Sequence, residues 1–202
     1  MVSDLDPQER FMARLRALPL GAEAIGVFFP SQEHVTDPFD MVELYQAGRV
    51  LTTMHESYLG APSDVPSCER YRFLWLRTFH CPVAIRVERH GTSRGLALRV
   101  LNGKGGYDPG LLVRSEERAV TAAQWDRLQQ RLSAAGFWSL PLRGKQQGLD
   151  GARWVLEGAR PGEHRIVHRW CPRSDTEDAP FRAACLYLLE LGAAGATGEP
   201  ID

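Results

Sequence analysis

The chain has 202 residues, 44% of them hydrophobic and 24% charged, which is ordinary globular usage and excludes wholesale disorder. Its formal net charge of −1 gives no overall attraction for nucleic acid or an anionic membrane surface. The opening run Met1–Asp6 has no apolar core, and no stretch reaches the ~18 apolar residues of a membrane span, so a cytoplasmic protein is expected.

In chain order, a first helix is expected from Asp6 as N-cap, with Pro7 in its first turn and Glu9 completing a capping box. It runs to about Leu18 with the apolar stripe Phe11, Leu15 and Leu18. Ala24–Phe29 reads as a short strand, and Asp37-Pro38 opens a helix through Ala47 that Gly48 should stop. Gly60–Pro66 reads as a linker. From Arg70 the pattern changes to strands. Tyr71, Phe73 and Trp75 alternate with Arg72, Leu74 and Leu76, which suits a central strand with two covered faces. Strands follow over Val83–Val87, Leu96–Val100 and Leu111–Val120, the last after the glycine-rich loop Gly103–Gly110. Thr121–Gln124 is a capping box, opening a helix with the stripe Trp125, Leu128 and Leu132 that closes at Gly136. Strands at Ala152–Gly158 and His164–Trp170 join through a turn at Arg160-Pro161-Gly162. A last helix runs from Ala179, capped by Asp178, to Leu191, burying Phe181, Ala184, Cys185 and Leu188.

These elements predict an α+β fold: an antiparallel sheet of about five to six strands, helices packed mainly on one face, and an N-terminal helical segment. The domain reading is residues 1–66 packed on the main domain, 67–192 as that domain, and 193–202 as a flexible tail. Residues 1–68 carry four basic and ten acidic side chains, whereas residues 69–101 carry seven arginines and two glutamates. An intramolecular contact between the two halves is the simpler account, and a binding surface of one sign the sharper one. Trp75, Trp125, Trp138 and Trp154 are expected in the core.

No catalytic set, cofactor or metal is expected. Cys68, His80, Cys81, His90, His164, His168 and Cys171 lack the paired short spacing of a zinc site. Cys81 and Cys171 each have a histidine nearby in sequence, but that alone does not make a nucleophile. Gly103–Gly110 has no Gly-Lys-Ser/Thr entering a helix, and the RNP patterns of RNA-binding sheets are missing, so nucleic acid is not an expected partner. The one candidate binding group is Arg153, Glu157, Arg165 and Arg169 on the last two strands. It reads as cross-strand ion pairs on a charged outer face, or as an arginine cluster for carboxylates.

Several signatures occur together: Gly105–Gly110 (GGYDPG), Phe137–Pro141 (FWSLP), Gly148–Gly158 (GLDGARWVLEG) and Arg169–Pro172 (RWCP). With Arg70–Leu74, this combination over roughly residues 69–192 resembles a group of bacterial proteins of uncharacterised activity. Cys171 stands where that pattern more usually has serine. The resemblance implies no activity. The expected function is a non-enzymatic binding or regulatory module with a protein partner, immunity-type being one form of it. The alternative is a small hydrolase or nucleotide-processing enzyme with an Arg/Glu/His site on the sheet.

Overall fold

A computed structural model describes residues 38–60, 68–105, 107–148 and 150–193. The helix expected at 6–18, the strand at 24–29, the linker from 61 onward and the tail from 194 lie outside the described residues.

Among the described residues, six strands form one sheet: β1 (Glu69–Arg77), β2 (Val83–His90), β3 (Ser93–Leu101), β4 (Leu112–Ala119), β5 (Ala152–Arg160) and β6 (Glu163–Trp170). The order is β4-β3-β2-β1-β5-β6, and every neighbouring pair is antiparallel. Strand β1 is central, as its two-sided apolar pattern requires, with Tyr71, Phe73 and Leu74 all buried. Strand β4 is an edge among the described strands. Its sequence LVRSEERA is rich in charge, the usual protection of an open edge.

Three described helices cover the sheet: α1 (Pro38–Thr53), α2 (Ala122–Ala134) and α3 (Ala179–Ala193). Helices α2 and α3 lie on one face. Trp125, Leu128, Leu132, Phe181, Cys185 and Leu188 pack there with Tyr71, Phe73, Ile85, Leu98, Trp154 and Leu156. The capping box of α2 forms as expected: the Thr121 hydroxyl accepts from the Gln124 N–H, and the Gln124 side chain accepts from the Thr121 N–H. The helix stops before Gly136, whose φ of 60° is left-handed. Trp125 and Trp154 are buried, while Trp75 and Trp138 are partly buried against the same core. Gly158 in β5 is required by this packing, since a Cβ there would meet Phe137 at 2.6 Å.

Helix α1 crosses the opposite face. Leu44, Ala47, Val50, Leu51 and Met54 pack onto Leu74, Leu76, Ala84, Leu101, Val155 and Ile166. It does not stop at Gly48 but continues to Thr53. Glycine in a helix costs about 1 kcal/mol, and the apolar contacts of Val50, Leu51 and Met54 beyond it outweigh that. No described helix is long and apolar enough to cross a membrane.

Candidate functional site

Strands β5 and β6 are joined by the two-residue turn Pro161-Gly162, which sets Arg160 opposite Glu163. Counting back from that pair places Arg153 opposite Trp170, Glu157 opposite Ile166, and Trp154 opposite Arg169. Residues directly opposite share a face. The four candidate residues are therefore divided. Arg153 and Glu157 face α1, whereas Arg165 and Arg169 face the layer of α2 and α3. Arg165 donates to the Leu140 carbonyl at 2.8 Å, and Arg169 donates to Asp178 Oδ1 at 2.7 Å and to the Pro141 carbonyl at 3.2 Å. Asp178 thus uses its carboxylate to hold Arg169 at the start of α3.

Nor is the Arg153/Glu157 face an outer one, as the alternation suggested. It is covered by α1 and the segment after it, so Arg153 and Glu157 are buried. Two ionic networks lie there. In the first, Arg72 on β1 donates through Nε to Glu157 Oε2 at 3.1 Å, through NH1 to Glu56 Oε2 at 3.1 Å and to the Ser57 carbonyl at 2.8 Å. Arg86 on β2 reaches the same Glu56 oxygen at 3.0 Å, and also pairs with Glu88. His164 Nε2 stands 2.8 Å from Glu157 Oε1, with Tyr58 edge-on to its ring. In the second, Arg153 Nε pairs with Glu43 Oε2 at 2.5 Å. His168 sits 3.1 Å from Asp40 Oδ1 through Nε2 and 3.5 Å from Arg153 through Nδ1. Arg143 reaches Asp40 Oδ1 at 3.4 Å.

Burial raises the Glu43 carboxyl to about 6 against the opposing pull of Arg153. Burial likewise lowers His168 below its usual range, although the Asp40 hydrogen bond pulls the other way. The acids of residues 38–60 thus meet arginines of the sheet. For these residues the charge asymmetry of the sequence is an intramolecular contact.

The cysteine and histidine candidates are dispersed. Cys68 Sγ lies 3.8 Å from His90 Nε2, and Cys171 Sγ accepts from the Ala152 N–H at 3.1 Å. His80 is exposed in the turn between β1 and β2. Among the described residues, no group of three or more His, Cys, Asp or Glu side chains is placed to hold a metal ion. Cys171 has a φ of 38°, a left-handed conformation that costs a non-glycine residue roughly 1–2 kcal/mol.

Two surface features were missed by the sequence reading. One is an apolar corner: Phe79, Tyr107, Leu111 and Val113 are 52%, 65%, 72% and 59% exposed. Phe79 and Tyr107 stand with their rings 6.1 Å apart where the β1–β2 and β3–β4 loops meet, tied by the Gly105 N–H to the His80 carbonyl; Leu111 ends the second loop and Val113 follows on β4. The other is a row of arginines on the α2 face. Arg89 on β2 lies directly opposite Arg94 on β3, and Arg118 on β4 lies opposite Leu96. An open groove of about 390 Å³ is lined by residues of β2, β3 and β4, among them Arg86, Glu88, Arg94, Glu117 and Arg118.

No protein-family model matches the chain, and no curated protein is significantly similar to it.

Proposed function

We propose that this protein is a cytoplasmic, non-enzymatic binding or regulatory module whose partner is another protein, an immunity-type role being one form of it. The observation that carries this reading is the apolar corner. Four large hydrophobic side chains stand more than half exposed at one end of the sheet, beside the edge strand β4. Exposed apolar clusters of this kind mark protein contacts, because leaving them in water forgoes the free energy of burial. Of the Arg/Glu/His groups on which an enzymatic reading would rest, Arg153, Glu157, His164 and His168 lie beneath α1 and the segment after it, in ionic networks with Arg72, Glu43 and Asp40, while Arg165 and Arg169 lie on the other face.

The test is capture of a protein from the source cells on the immobilised full chain, followed by titration of the purified pair. A stoichiometric complex that Phe79→Ser/Leu111→Ser weakens at least about tenfold, with the melting temperature unchanged, is the expected result; tenfold corresponds to about 1.4 kcal/mol. Affinity untouched by that double substitution would overturn it.

A further inference from the structure

The arginine row at the C-terminal end of β4 is electrostatically incomplete. Arg89, Arg94 and Arg118 project from three successive strands on the α2 face, and Arg89 and Arg94 occupy directly opposed positions. Like charges so placed repel. Among the described residues, a carboxylate compensates only Arg89 of the three, Glu69 Oε2 at 2.9 Å, and the Arg89 guanidinium also lies over the Trp125 ring at 5.1 Å. Arg94 donates to the Thr92 carbonyl at 2.9 Å, but its buried Nε has no acceptor. Arg118 has a buried NH2 group without an acceptor. The nearby Glu116 carboxylate is held by Arg114 at 2.5 Å, although the field of Arg118 also reaches it. Strand β4 then leads through Val120, whose N–H donates to the Arg94 carbonyl, into the capped N-terminus of α2. That positive helix end adds to the same field.

We infer that Arg94 and Arg118, with Arg89 behind them, form a docking site for the carboxylate side chains of an acidic segment in a protein partner. This rests on the protein-binding reading above and names the partner's chemistry. Arg94 and Arg118 are half-buried, and neither is paired with a carboxylate among the described residues; guanidinium groups in that state match carboxylates, which can be received by two parallel donors. A protein fits better than a nucleic acid because the same strand carries apolar side chains toward its other end. Val113 and Arg118 are about 17 Å apart along β4 at ~3.4 Å per residue. The bound segment therefore meets arginine at one end of β4 and the apolar corner at the other. The glutamates of β4 and the −1 net charge also disfavour a long polyanion.

Fluorescence anisotropy of a labelled octaglutamate peptide, titrated with the full chain at low salt, tests the site. Binding is expected to weaken about tenfold in Arg94→Gln and in Arg118→Gln, the loss of one charge-assisted contact each. It should be unchanged in Arg173→Gln, an exposed arginine elsewhere that pairs with Asp175. Without peptide, Arg94→Gln should melt at or above the wild-type temperature, because it relieves repulsion; a merely structural arginine would lower it. Equal peptide binding by the wild type and the Arg94→Gln/Arg118→Gln protein overturns the site. Inorganic phosphate displacing the peptide at lower concentration than acetate does would assign the arginines to a small phosphate ligand, which also overturns it. A captured protein partner whose affinity is unchanged by the double substitution refutes this site while leaving the protein-binding reading intact.

Discussion

Arg72 is fully buried, and its guanidinium is shared by two carboxylates from different parts of the chain, Glu56 after α1 and Glu157 on β5. Such a group is expensive to break, because removing one partner leaves the others charged in a low-dielectric site. Arg72→Met should therefore destabilise by about 3–5 kcal/mol in chemical denaturation, and adding Glu157→Gln should recover part of that. A single substitution costing under about 1 kcal/mol would show that the network is worth no more than surface pairs. Glu43 makes a second, pH-dependent prediction. Its carboxyl is raised from 4.5 to about 6, chiefly by burial. Between those values the folded protein retains a proton that the unfolded chain has released, so Glu43's contribution to stability falls as pH rises through this window. The difference amounts to about 2 kcal/mol at ~1.4 kcal/mol per pH unit. Urea unfolding of wild type and Glu43→Gln from pH 4 to 7 should show that the gap between them changes across this window and is flat above it. His168 acts oppositely. Its depressed value means that stability is present above the usual histidine range and is lost as pH falls through the folded value, and His168→Gln should remove that acid-side loss.

Among the described helices, α2 has a start set by local chemistry. The Thr121 hydroxyl satisfies the Gln124 N–H, an otherwise orphaned donor of the first turn. Thr121→Ala should cost about 1 kcal/mol. In a chain of this size that lowers the melting temperature by about 2–4 °C, measurable by calorimetry. An unchanged melting temperature would place the start of α2 under the control of Trp125 packing alone. Local signals of this kind made much of the fold legible in the sequence. The capping box, the period-two alternation of β1 to β3, and the Pro161-Gly162 turn are all short-range features. The length of α1 was not legible, because Gly48 is a stop signal that is overridden by contacts with strands far along the chain. The parity of β6 was legible and was misread. Pairing Arg160 with Glu163 across a two-residue turn already separates Arg153 and Glu157 from Arg165 and Arg169. The arginine row and the apolar corner had no such signal, since each assembles from separate strands or loops through the register of the sheet.

At the scale of the whole molecule, the question is whether the sheet with α2 and α3 stands without what precedes it. Residues 67–192 contain every described strand, yet the face beneath α1 is not a surface built for water. Removing residues 1–66 would uncover Leu74, Leu76, Ala84, Leu101, Val155 and Ile166. It would also take Asp40, Glu43 and Glu56 away from His168, Arg153, Arg72 and Arg86. Both losses act in one direction, but they respond differently to solvent. The apolar loss, at ~25 cal/mol per Å² of uncovered area, is insensitive to modest salt. The arginines left behind would repel one another, and salt would screen that repulsion only as far as water reaches them. The 67–202 fragment should therefore aggregate or melt well below the full chain, with little recovery between 50 mM and 500 mM salt. Sedimentation and thermal melts of the two proteins in parallel decide the matter. A monomeric fragment with an unchanged melting temperature would mean that α1 is an arm resting on a self-sufficient sheet. Full recovery by salt would mean that charge, rather than the apolar contacts of Leu44, Leu51 and Met54, joins the two parts.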